Sequence, residues 1–172
     1  MSAPEELVPF SEDAAARVEI EAKIPHRDPF LFVDRIVEST EDRIVVRWTV
    51  REDSDFFRGH YPDQPVTPGV ILSEHSFQAG ALLVSNALGG FSSDDGVPVL
   101  TRIRDARFKR VVSPGATLET TVGVEDQLGP AWYMKATIRS EGAVCVKLRF
   151  VLSGTAAMAR VTDGMKAESD QP

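Results

Sequence analysis

Residues 56–83 read FFRGHYPDQPVTPGVILSEHSFQAGALL, and the fold turns on how this stretch is parsed. Its front half carries Pro62, Pro65 and Pro68, which fix the backbone and deny hydrogen-bond donors, so it is a stiff loop. From Pro68 the chain is apolar or small on nearly every side through Val70, Ile71, Leu72, Phe77, Ala79, Ala81, Leu82, Leu83, Val84, Ala87 and Leu88. The pattern predicts a helix over 68–90, with Thr67 as N-cap, Pro68 at the first helical position and Gly89–Gly90 as the stop. A helix apolar all round is buried on most of its sides.

The flanking sequence supplies the cover. RIVVRWTV (43–50), LETTVGVE (118–125), WYMKATIR (132–139) and VCVKLRFVL (144–152) alternate apolar and polar residues with period two, as half-buried antiparallel strands do. Turn signals separate them: STED at 39–42, SPGA at 113–116, QLGP at 127–130 and SEGA at 140–143. Two further strands are expected at about 30–38 and 98–112. The joint solution is an α+β fold, a single hot-dog domain in which a curved antiparallel sheet of about six strands wraps one long central helix. The expected organisation is an N-terminal arm or short helix over 1–22, the domain over 23–153, and a mobile, polar tail over 154–172.

A chain of 172 residues suits one domain, and 42% apolar with 26% charged residues is the composition of a soluble globular protein. The net charge of −7 argues against a nucleic-acid partner. No apolar run reaches the ~18 residues of a membrane span, and the acidic start lacks a signal-peptide pattern, so cytoplasm is the expected location. Cys145 is the only cysteine and lies in a strand pattern, as an inert thiol. The histidines and acids show no metal-ligand spacing.

Polar residues interrupt the apolar helix. Glu74 and Gln78 are one turn apart on one face, with Ser85 further along the same side. Such a stripe has two readings: hydrogen bonds to neighbouring loops or a subunit interface, or a functional site. His60 favours the second, because a rigid loop ties it to the start of the helix that carries Glu74. A histidine and a carboxylate beside a helix N-terminus form an acid/base pair. The first-turn N–H groups of Gly69 and Val70 are suited to a carbonyl oxygen that becomes negative. His26, in IPHRDPF, is expected to fix a turn, and His75 to point to another side of the helix.

At these residues the chain resembles the 3-hydroxyacyl-[acyl-carrier-protein] dehydratases of fatty acid synthesis. Three blocks carry the resemblance: IPHRDPFLFVDRI (24–36), FFRGHYPDQPVTPGVILSEHSFQAG (56–80) and ARFKRVVSPG (106–115). In the middle block Gly59, His60, Pro62, Pro65, Val66, Pro68, Gly69, Val70, Glu74 and Gln78 all match the family pattern. Tyr61, Asp63, Thr67 and Asp28 depart from it, as do the neighbours Ser73 and His75. The resemblance implies that His60 and Glu74 are catalytic, that the amides near Gly69 and Val70 polarise the thioester, and that Gln78, Tyr61 and Pro68 support the site. A glutamate at position 74 resembles the branch that only dehydrates. The family implies a homodimer with shared sites, in some members a trimer of dimers, and no cofactor beyond the phosphopantetheine of the acyl carrier protein.

The expected reaction is dehydration of a 3-hydroxyacyl thioester to the trans-2-enoyl thioester. Arg102, Arg104, Arg107, Lys109 and Arg110 face one acid, Asp105, within an otherwise acidic chain. They are either a solvated strand face or a docking patch for the acidic carrier. Two alternatives compete with the dehydratase: a hot-dog acyl thioesterase, and a non-catalytic binding or scaffold subunit of a synthase.

Overall fold

The computed structural model describes residues 13–91 and 96–154. Its elements run α1 (Ala14–Lys23), β1 (Arg35–Ser39), β2 (Arg43–Thr49), a short 3-10 turn (Asp55–Arg58), α2 (Gly69–Leu88), β3 (Pro98–Phe108), β4 (Thr117–Leu128), β5 (Ala131–Ser140) and β6 (Ala143–Gly154). The strands form one six-stranded sheet in the order β1-β2-β4-β5-β6-β3, with every pairing antiparallel. Helix α2 packs against β2 through β6, and α1 lies against α2 and β1. The curved sheet wrapped on one long helix is therefore observed.

The period-two patterns bury the faces they predict. Leu118, Thr120 and Val122 of β4, Met134, Ala136 and Ile138 of β5, and Val146, Leu148 and Phe150 of β6 close on α2. Helix and sheet approach so closely at Gly80 that an added Cβ would lie 3.0 Å from Met134 Sδ and from the Phe150 ring. A side chain there would require Met134 and the buried Phe150 ring to give by a few tenths of an ångström.

Three boundaries differ from expectation, each because backbone groups find other partners. The helix begins at Gly69, with Pro68 rather than Thr67 at the cap; the Pro68 carbonyl accepts from Ile71 N–H (3.0 Å) and Leu72 N–H (3.1 Å). Thr67 is held instead by its own N–H on the Val112 carbonyl at 2.8 Å, and its buried hydroxyl caps nothing. The other end is as expected: the helix stops at Leu88, with Gly89 in the left-handed conformation (φ 71°) that favours glycine. The first strand starts at Arg35 rather than near 30, since the 30–32 backbone bonds to helix side chains (below). The β3 strand stops at Phe108 because the N–H groups of Lys109 and Arg110 both turn to the Cys145 carbonyl (2.7 and 3.3 Å).

Of the N-terminal alternatives, the short helix is observed over Ala14–Lys23. Asp13 Oδ1 caps it by accepting from Ala16 N–H at 3.0 Å, and Ile20 enters the core. The tail expected to be mobile lies outside the described residues beyond Gly154.

Candidate active site

The loop before α2 sets His60. The 3-10 turn ends at Arg58, and the His60 N–H closes it by donating to the Phe56 carbonyl at 3.0 Å. Tyr61 takes a positive φ of 51°, a strained region for a residue with a side chain, and its carbonyl accepts from Gln64 N–H at 2.9 Å. The Tyr61 ring meets the His60 ring edge-on, centroids 4.5 Å apart. His60 lines a cleft of about 310 Å³ with Gly69, Leu72, Phe108, Lys109 and Arg110.

Gly69 forms the floor of that cleft. A Cβ on it would meet the Phe108 ring at 3.0 Å, so glycine lets ring and backbone close on each other. The N–H groups of Gly69 and Val70 belong to the helix's first turn, where no intrahelical acceptor exists. The Val70 side chain is 75% exposed, so this end of α2 is open to solvent in the single chain.

Glu74 stands further along α2 and is a quarter exposed. Its Oε1 accepts from Gln78 Nε2 at 3.0 Å and lies 3.5 Å from His26 Nε2. Gln78 is wholly buried and acts as a clamp. Its Oε1 accepts from the Phe32 N–H (2.8 Å), and its Nε2 also donates to the Phe30 carbonyl (3.1 Å). His60 and Glu74 share no hydrogen bond or ion-pair contact with each other among the described residues.

The histidine that sequence position makes most conspicuous beside Glu74 has a different role. His75 is wholly buried; its Nδ1–H donates to the Phe32 carbonyl (2.6 Å), and its Nε2 accepts from the Thr120 hydroxyl (2.7 Å). Those partners fix one neutral tautomer, and burial lowers its pKa to about 4, against the Phe32 hydrogen bond. The ring also packs on Trp48 at 5.1 Å. His26, expected only to fix a turn, is instead a close neighbour of Glu74. Only its place in the IPHRDPF block, far from Glu74 in sequence, could have pointed to it.

A second cavity of about 410 Å³ is lined by Phe30, Phe32, Trp48, Phe56 and Ile71, with Asp34 in its wall. Asp34 Oδ2 accepts from Thr49 N–H at 2.6 Å. Burial raises its carboxyl to about 6, opposed by that hydrogen bond and by Arg35 and Arg51. Of the basic residues, Lys109 and Arg110 reach the His60 cleft, whereas Arg102, Arg104 and Arg107 lie along β3. Arg107 pairs with Asp105 at 3.2 Å, and Arg104 lies over the Tyr133 ring at 5.7 Å. No three His, Cys, Asp or Glu side chains gather as a metal site among the described residues.

A buried helix carrying an acid, opened at its start onto a histidine cleft and held in a curled sheet, defines a class. The FabA-like domain family matches residues 24–149, and the chain belongs to that family, with the FabZ-type 3-hydroxyacyl-[acyl-carrier-protein] dehydratases. The chain is 41% identical to the FabZ dehydratase of Anaeromyxobacter dehalogenans over 135 residues, 78% of this chain and 86% of that one. The FabZ dehydratases of Clostridium perfringens (39% identical; 73% and 88% covered) and Rickettsia akari (36%; 77% and 90%) are similar relatives. Among solved structures, the dehydratase heterocomplex ApeI:P from Xenorhabdus doucetiae superposes with a TM-score of 0.68 at 17% identity, covering 83% of this chain and 96% of that one. A Haemophilus influenzae thioesterase superposes at 0.53 with 21% identity, covering 69% and 76%. At these identities the two structures speak to the fold alone.

Proposed function

We propose that this chain removes water from a 3-hydroxyacyl thioester on acyl carrier protein, giving the trans-2-enoyl thioester in fatty acid biosynthesis. Family membership makes it a hydro-lyase. The observation that carries the site assignment is the open start of α2, where His60 and Gly69 line one cleft and the first-turn amides of Gly69 and Val70 have no intrahelical acceptor.

Neutral His60 takes the C2 proton, acidified by the adjacent thioester carbonyl. The Gly69 and Val70 amides and the positive end of α2 stabilise the oxygen that becomes negative. Glu74, carrying a proton, or a water it holds, donates to the departing 3-hydroxyl. The C2–H electron pair forms the new double bond as the C3–O bond breaks. Gln78, Tyr61 and Pro68 act in support: Gln78 holds Glu74, Tyr61 borders His60, and the Pro68 carbonyl starts the helix.

His60 and Glu74 do not meet within one chain, which favours a homodimer in which each site takes one residue from each subunit. The exposed edge strand supports the same reading. Among the described residues strand β3 pairs only with β6 and leaves Leu100, Ile103 and Phe108 exposed. Lys109 and Arg110, at the mouth of the cleft, are the cations best placed for the phosphopantetheine phosphate, with Arg102, Arg104 and Arg107 offering a wider acidic-partner surface.

Incubation with a crotonyl thioester tests the reaction. Hydration is expected; release of free acid would favour a thioesterase, and no change a scaffold subunit. His60→Ala and Glu74→Gln are each expected to lose at least about a hundredfold in turnover. Near-wild-type turnover in either would remove that residue from the site.

A further inference from the structure

Both intrachain partners of Glu74 reach the same oxygen. Gln78 Nε2 donates to Oε1 at 3.0 Å and His26 Nε2 lies 3.5 Å from it, while Oε2 has no hydrogen bond among the described residues. His26 is itself held firmly. The Arg27 guanidinium donates to the carbonyls of Ile24 (2.8 Å), His26 (2.7 Å) and Glu21 (2.9 Å), pinning the backbone on both sides of the ring. His26 Nδ1 is buried with no hydrogen-bond partner. A proton on that nitrogen would be a buried donor without an acceptor, which costs more than a bare lone pair. The ring is therefore neutral, with its proton on Nε2, the nitrogen that lies 3.5 Å from Glu74 Oε1. Burial of the ring works in the same direction, opposed by Glu74 and assisted by Arg27.

We propose that His26 is a positioning residue for the Glu74 carboxyl. With Gln78 it holds Oε1, so that Oε2 is the oxygen presented to the reacting group. This inference rests on the acid role of Glu74 given above. A neutral donor suits a carboxyl that must alternate between its protonated and ionised forms, because it orients the group without locking it into an ion pair.

The test is hydration of a crotonyl thioester by His26→Leu, which removes the donor at similar volume, and His26→Gln, whose amide restores one. The leucine variant is expected to lose about tenfold to a hundredfold in kcat with KM within about twofold, the scale of a misplaced catalytic group. The glutamine variant is expected to recover most of that loss. In a Glu74→Gln background, His26→Leu is expected to cost nothing more. Thermal unfolding checks each variant, and His26→Asn, too short to reach Glu74, replaces the leucine variant should that fail to fold. Wild-type kcat without the donor, equal losses in the leucine and glutamine variants, or a loss fully additive with Glu74→Gln would overturn the role of His26 and leave Glu74 standing. A fully active Glu74→Gln enzyme would overturn the acid assignment itself.

Discussion

At the scale of single residues, two buried titratable groups pull stability in opposite directions. The folded chain keeps His75 neutral down to about pH 4, whereas an unfolded histidine takes its proton near 6.5. Its contribution is therefore present above about pH 6.5 and is lost as pH falls towards 4. Asp34 behaves in reverse: the fold holds its proton up to about pH 6, an unfolded aspartate only to 3.8, so its contribution falls as pH rises across that range. Each shift corresponds to roughly 3 kcal/mol at most. In Asp34→Asn, the Thr49 N–H still finds a carbonyl oxygen. That variant is expected to gain roughly 1–3 kcal/mol over wild type at pH 8 and nothing near pH 3.5, read by urea unfolding at both values. In His75→Gln, the stability deficit relative to wild type should shrink as pH falls from 6.5 to 4. A deficit constant across that window would show that His75 is not the group being titrated.

At the scale of elements, the long helix was legible because its composition and its glycine stop agree, and four of the strands because their alternation is strict. The segment 30–34 was not. FLFV reads as a strand, yet the Phe32 N–H goes to Gln78 and its carbonyl to His75, so two helix side chains replace a neighbouring strand. That choice depends on contacts between residues more than forty positions apart, which no local pattern encodes. The same distance hid His26 from Glu74. Conversely, the shared cleft of His60 and Gly69 was legible because the loop and the helix start that carry them are contiguous. The start of α2 gives a prediction of its own. In Gly69→Ala the new methyl meets the Phe108 ring at 3.0 Å, and that ring is half-exposed and able to swing away. Stability is expected to change by less than about 1 kcal/mol, while kcat/KM falls about tenfold as the ring enters the cleft. Equal activity would show that the Gly69–Phe108 approach does not shape the site.

At the scale of the whole molecule, a His60→Ala chain and a Glu74→Gln chain are each expected to be inactive alone. If each site takes one residue from each subunit, refolding them together produces mixed dimers with one intact site out of two. Random pairing puts half of the chains in such dimers, so about a quarter of wild-type activity should return. No recovery would show that the two residues serve one site within a single chain. Charge reversal at Lys109 and Arg110 is expected to raise KM for the carrier-bound substrate while leaving KM for a small thioester nearly unchanged. Equal effects on both would assign these cations to the cleft itself rather than to the carrier.

The edge strand has a kinetic consequence. The Phe108–Val112 segment that walls the His60 cleft is the direct continuation of β3, whose far edge has no strand beside it among the described residues. If a second copy covers that edge, catalytic competence becomes a second-order property of the solution. Specific activity should then fall on dilution, with a lag on reconcentration whose length varies inversely with protein concentration.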